Sequence, residues 1–434
     1  MATEKQLKSV ITCDLEGRIE TFNKGAEQIF GYKPEEVIGK KRVSLFSPGT
    51  TVLEHVPTWL KTASEEGEYR SKTVFLRKDG TPFAAQVRIT PTFRNGQQIG
   101  FCGVTEELEN VDPAEVAPNV SFSTRMFAWL VITRAPFLTA IIIPVLIGAA
   151  WVAAEGLVQP FPWSKFFMAL FAGIAIHVAA NTFNDYFDWK SGADEENNEY
   201  FLPYSGGSRS IELGLINEKT LFRVAFTALL ISAVLGLMLA YLSGPGVLIF
   251  GLVGAFCAYF YTAPPLRLAA RRGLGELVTG LNFGPLAVAG TVYALTGQVS
   301  LVDFLIGIPI GLLTASILWI NEFPDEDADR RAGKNTLVVT LGRERARWGY
   351  IAMVLAAFGL VIVGVVRNVL PIGATLVLAS LPLAIYAIRI ILREYGSRSL
   401  VKANVATIQL QLVGGLLLAA GILFSSQITN LLGL

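Results

Sequence analysis

KFFMALFAGIAIHVAANTFNDYFDWKSGAD, residues 165–194, decides how this chain is read. An apolar run long enough to cross the hydrocarbon core of a bilayer ends in Asn184, Asp185, Asp188 and Asp194. A carboxylate at the centre of a membrane costs roughly 2.5 to 3.5 kcal/mol even on insertion scales, so acids bordering such a run need a compensating partner. A second apolar run ends in PDEDAD, residues 324–329, and supplies Asp325, Asp327 and Asp329. The partner that suits paired carboxylates is a hard divalent cation.

Helical spacing sorts these acids. Asn184 and Asp188 are four residues apart and share a helix face, with Asp185 and Asp188 three apart. Asp325 and Asp329 share a face in the same way, while Asp327 is turned about 200 degrees from Asp325, so the outer pair are the expected ligands. Pro324 is expected to interrupt the helix leading into the cluster, because proline lacks an N–H and clashes with the preceding turn. A single aspartate after a membrane span is ordinarily a solvated loop residue. Two dense clusters with matching spacing argue for a site. His177, farther back in the first run, is expected to be a packing residue more often than an acceptor-site base.

Outward from these motifs, the 434 residues are 52% hydrophobic with mean hydropathy +0.49, too apolar for an ordinary soluble enzyme. Apolar runs of spanning length recur about nine times, near 127–153, 165–187, 220–242, 247–263, 276–296, 301–323, 347–366, 369–391 and 405–427. Lysine and arginine gather in alternate connections, among them Lys190 and Arg209, then Arg267 and Arg271, then Arg330 and Lys334, then Arg393 and Lys402. That alternation predicts that the N-terminus and both acidic clusters are cytoplasmic in an integral, multi-pass cell-membrane protein. The start, MATEKQLKSV, lacks the apolar core of a signal peptide. Cys13, Cys102 and Cys257 have no CxxC spacing, which points to neither a disulfide framework nor a zinc site. A net charge of +1 with no basic stripe excludes nucleic acid as the expected partner.

Residues 1–110 carry about 30 of the 71 charged side chains and read differently. Short alternating runs such as VITCDLEGRIETF, YRSKTVFL, FAAQVRITPTF and QQIGFCGVTEE, with EGR, KDG and RNG turns, predict an antiparallel sheet. With the helical stretch NKGAEQIFGYKPEEVIGK between them, this order resembles the PAS domain, a small α+β sensor fold. The resemblance covers about 1–108 and rests on Gly17, Ile19, Asn23, Ala26, Phe30, Gly31, Tyr32, Glu36, Gly39 and Lys78-Asp79-Gly80. Residues 109–124 read as a linker. The ligand of the PAS-like domain is left open. GKKRVSLF at 39–46 lacks the reactive cysteine of flavin photosensors, and one histidine, His55, is ordinarily structural rather than a haem ligand. PAS-mediated homo-oligomerisation and regulation of the membrane part are expectations.

From 125 to 434 the chain resembles the UbiA superfamily of intramembrane prenyltransferases. The resemblance rests on both acidic motifs, YSGGSR at 204–209, YTAPPLRLAARRGLGE at 261–276, FGPLAVAGTVYALTG at 283–297 and RRAGKNTLVVTLG at 330–342. It implies an all-α polytopic membrane bundle and magnesium-dependent transfer of a polyprenyl group from an isoprenoid diphosphate to an aromatic acceptor. The last three motifs look most like 1,4-dihydroxy-2-naphthoate polyprenyltransferases of menaquinone synthesis. Related members use 4-hydroxybenzoate, homogentisate or lipid acceptors, and a non-catalytic membrane receptor is the rival from another class. By the resemblance, Asn184, Asp185, Asp188, Asp325 and Asp329 hold magnesium, expected as two ions. Arg134, Asp194, Arg209, Tyr261, Arg267, Arg271 and Lys334 are implied for the diphosphate or the acceptor. The DGxxAR pattern of CDP-alcohol phosphotransferases is absent.

Overall fold

The computed structural model describes residues 7–191 and 207–432. They form two compact units: residues 7–132 with 209–217, and residues 133–191 with 207–208 and 218–432.

The first unit is built on an antiparallel sheet of β1 (Lys8–Asp14), β2 (Ile19–Phe22), β3 (Tyr69–Leu76), β4 (Pro82–Arg94) and β5 (Gln97–Glu107), in the order β2-β1-β5-β4-β3. Helices α1 (Lys24–Phe30) and α2 (Gly49–Glu66) lie between β2 and β3. Asn23 joins sheet to helix: its Oδ1 accepts from Val10 N at 2.9 Å and Ala26 N at 2.8 Å, while its Nδ2 donates to Lys8 O at 3.1 Å. One short side chain thereby caps α1 and pins β1. Phe30 packs against Phe46, Phe75 and Phe83 in an aromatic core. The helix α3 (Phe122–Ile132) closes this unit, and Ser121 N before it donates to Glu54 on α2 at 3.2 Å.

The second unit is helical. Its long elements are α4 (Ala135–Ala154), α5 (Trp163–Ser191), α6 (Glu218–Ser243), α8 (Leu274–Thr296), α9 (Ile308–Arg331), α10 (Arg343–Val366), α11 (Ile372–Glu394) and α12 (Arg398–Leu423). Among the described residues these eight are long and apolar enough to cross a membrane, α9 together with the short helix Leu301–Leu305 ahead of it. The run expected at 247–263 forms α7 (Gly246–Phe260), only 15 residues long, ahead of Pro264 and Pro265.

Within a bilayer, helices gain little from leaving lipid and associate through close packing. Gly280 and Gly284 of α8 meet Gly307 and Gly311 at the start of α9; a Cβ on Gly284 would come within 2.5 Å of Gly311 Cα. Ile143 and Ile147 of α4, Ile320 and Phe323 of α9 and Tyr350 of α10 are buried in one cluster, with Tyr350 Oη 2.7 Å from Thr407 Oγ1 on α12. The expected interruption at Pro324 does not occur. Helix α9 runs unbroken through it, because Asn404 of α12 gives the Ile320 carbonyl the hydrogen bond that Pro324 cannot.

Candidate active site

Helices α5 and α9 each present a polar stripe to one cavity of about 410 Å³ in the second unit. From α5 come His177, Asn181, Asn184 and Asp188, at spacings of four, three and four residues; from α9 come Glu322, Asp325 and Asp329, at three and four. Such spacings repeat one helix face. The rest of the wall is largely apolar, including Phe137, Ile141, Val145, Ile176, Phe250 and Ile317.

Lys334 bridges the two stripes. Its Nζ is 3.5 Å from Asp188 Oδ2 and 3.9 Å from Asp329 Oδ1. Burial opposes its charge, yet the carboxylates of Asp188, Asp329 and Asp325 hold the ammonium above the usual lysine range. The turn that carries Lys334 is tied down on both sides. Its backbone N donates to Asp329 O at 2.8 Å, and Arg272 N donates to Asn335 O at 2.7 Å.

Asp185 is set behind this wall. It is 3% exposed, and its carboxylate accepts from the Ser208 backbone N at 3.2 Å and from the Ser208 hydroxyl, and pairs with Arg134 Nη2 at 3.3 Å. The i, i+1 step from Asn184 turns it about 100 degrees away from the cavity stripe. Arg134 lines the cavity and also donates to Asn184 Oδ1 at 3.2 Å. Its backbone is left-handed, φ 53°, a conformation that costs a long side chain energy. The Asn181 amide donates to Thr133 O at 3.2 Å and anchors the residue before it. Asp327, read as turned away, points outward and pairs with Arg343 at 2.8 Å.

The other sequence nominations divide. Tyr261 and Lys334 line the cavity; Arg267 and Arg271 do not. Arg271 donates to the carbonyls of Leu266 and Pro265, holding its own loop. Arg209 belongs to the first unit, where it pairs with Glu212. Asp194 lies outside the described residues. Sequence reasoning missed Glu322, Asn321 and Thr336 in the cavity wall. The i, i+3 and i, i+7 steps from Glu322 to Asp325 and Asp329 would have exposed it, had the helix been carried through Pro324.

Among the described residues no three acidic, histidine or cysteine groups cluster tightly enough to hold an ion alone. Magnesium needs no such cage: one or two carboxylates with phosphate oxygens and water suffice. Asp188 and Asp329, held on either side of one cationic centre, fit that donor set.

Comparison with known proteins gives the same outline. A UbiA prenyltransferase family model matches residues 141–410, and a PAS domain model matches residues 7–107. The chain is 31% identical over 304 residues to the 1,4-dihydroxy-2-naphthoate octaprenyltransferase of Mycobacterium tuberculosis, covering 68% of this chain and 97% of that protein. It is 28% identical over 313 residues to the 2-carboxy-1,4-naphthoquinone phytyltransferase of a Synechocystis species, covering 71% and 97%. A solved UbiA homolog from Archaeoglobus fulgidus, bound to GPP and Mg2+, shares the fold with a TM-score of 0.50 at 17% identity, over 68% of this chain and 99% of that one.

Proposed function

This chain belongs to the UbiA prenyltransferase family, and from that premise we propose that it transfers a polyprenyl group from an isoprenoid diphosphate to 1,4-dihydroxy-2-naphthoate with magnesium. The observation that carries this reading is Lys334 between Asp188 and Asp329. Two carboxylates from facing helices and one shared cation make a centre for a polyanion and its metal. Asn184, Asp188, Asp325 and Asp329 would hold magnesium, which when bound draws charge from the diphosphate as the allylic C–O bond weakens. Lys334 and Arg134 donate to phosphate oxygens, and Asp185 with Ser208 keeps Arg134 and Asn184 in position. Tyr261 contributes to the wall beside the departing diphosphate. The apolar remainder of the cavity accommodates the prenyl tail and keeps water from the developing allylic cation.

The naphthoate acceptor is supported by the names of relatives that this chain spans almost end to end. The cytoplasmic position of the site is supported by the alternation of cationic connections. Regulation by the PAS unit is supported by the chain itself: Arg209–Asn217 belongs to that unit and directly follows Ser208, the residue bonded to Asp185.

Mass spectrometry of products after offering one polyprenyl diphosphate and a panel of aromatic acceptors tests the reaction. The expected product is the prenylated, decarboxylated naphthoquinol. Full activity in an Asp188→Ala, Asp325→Ala double variant would overturn the site. Removing residues 1–115 is expected to alter turnover; identical kinetics and detergent-solution mass would remove the case for PAS control.

A further inference from the structure

Two buried polar atoms in the cavity wall have no hydrogen-bond partner among the described residues: Glu322 Oε2 on α9 and His177 Nδ1 on α5. Each residue is 6% exposed and each lines the cavity. Both lie farther from the cluster ends of their helices than the acids do. Glu322 precedes Asp325 by nearly one turn, and His177 precedes Asn184 by about two.

Packing does not account for Glu322. Its carboxyl group meets that of Glu276 on α8, and Glu276 has a structural task of its own, since its Oε1 accepts from Leu337 N at 2.9 Å. Glu276 thus caps the helix that follows the Lys334 turn, whereas Glu322, which lines the cavity, has one buried oxygen left without a partner among the described residues. Orphaned polar atoms in a protein interior are few, and each asks for a partner. Beside His177, the ring of Phe283 lies 4.7 Å away centroid to centroid and also lines the cavity, giving a flat apolar wall. An unpaired acceptor, a ring nitrogen and an aromatic face suit a hydroxylated aromatic ring better than a prenyl chain or a phosphate.

We propose that Glu322 and His177 form the subsite for the ring hydroxyls of the aromatic acceptor, with Glu322 Oε2 accepting a hydrogen bond from one of them. This rests on the reading of the cavity as a prenyl-transfer site. A hydrogen bond accepted from the hydroxyl moves electron density into the ring and makes the attacking carbon more nucleophilic. The ring carbon then bonds to C1 of the donor while the C1–O bond breaks, its electron pair leaving with diphosphate. The ring recovers aromaticity by losing carbon dioxide from a 2-carboxylate, or a proton where none is present.

The test uses the full chain in lipid nanodiscs with geranylgeranyl diphosphate, magnesium, 1,4-dihydroxy-2-naphthoate and its two mono-O-methyl ethers. Wild type is expected to disfavour one ether by about tenfold in kcat/KM. Glu322→Met is expected to lose about tenfold with the dihydroxy acceptor and most of the discrimination, with the donor KM within about twofold of wild type. Glu322→Gln, which retains an acceptor oxygen, is expected to fall between them and reports on the subsite if the methionine variant does not fold. His177→Leu is expected to raise the acceptor KM alone. Undiminished discrimination in both Glu322 variants, or a large rise in donor KM, overturns the subsite while leaving prenyl transfer standing. A wild-type protein that prenylates none of these acceptors overturns both.

Discussion

Asn404 donates from Nδ2 to the carbonyl of Ile320 at 3.3 Å, across 84 positions of sequence. Ile320 is four residues before Pro324, so its carbonyl is the one that a proline ring leaves without an intrahelical donor. The same amide donates to Asn321 Oδ1 at 2.7 Å. The stretch of α9 bearing Asp325 and Asp329 is thus held by a side chain from α12. Asn404→Ala is expected to cost about 1 to 3 kcal/mol, the penalty for a buried acceptor left unpaired. Pro324→Ala restores a backbone N–H and is expected to recover part of that loss. Thermal melts of the two single variants and the double variant check this; strict additivity would rule out the compensation.

Lys334 pairs with both Asp188 and Asp329, joining the two helices through one cation. Lys334→Gln is expected to raise the KM for the diphosphate donor by about tenfold or more. Because the carboxylates hold its ammonium above the usual range, Lys334 keeps its proton through the alkaline arm of a pH profile. Its contribution is present below the free lysine pKa and lost only above it. A wild-type alkaline limb that vanishes in Lys334→Gln would contradict this assignment.

Gly49 begins α2 in the first unit, where a Cβ would collide with the backbone of Leu213 and Gly214 in the segment Arg209–Asn217. Gly49→Val is expected to detach that segment while leaving the aromatic core around Phe30 intact. Limited proteolysis should then cut within 209–217 faster than in wild type, and prenyl transfer should change with it. Unaltered cleavage and turnover would show that the close approach has no consequence.

Burial, reinforced by the negative charges of Asp14 and Glu20, pushes the Cys13 thiol up to about 12 from an ordinary 9.0. Below the unfolded value both states hold the proton and the contribution is complete; as pH rises from there toward the folded value it is lost. Peptide-resolved alkylation at about pH 8 should therefore label the half-buried Cys102 well before Cys13. Cys13→Ser should flatten the alkaline fall in stability of this unit.

Much of the site was legible because helical periodicity is local. Asn184 with Asp188 and Asp325 with Asp329 could be paired from spacing, and the structure sets all four in one cavity wall. The same periodicity turns Asp327 away from Asp325, and it pairs with Arg343. The strands of the first unit followed from period-two alternation and Gly-containing turns. Asp185 is a different case: the resemblance implies a magnesium ligand, and in the structure its carboxylate is bonded to Ser208 and paired with Arg134.

By itself the sequence determined the solvent of each part, the polar stripes of α5 and α9, and a resemblance carried by several spaced motifs. Composition and short-range periodicity encode all three. Only the tertiary structure decided that Lys334 lies between the stripes, that Glu322 joins the cavity, and that α9 continues through Pro324. Each of these depends on which helix faces meet, and a partner such as Asn404, far away in the chain, leaves no local signal at the position it completes.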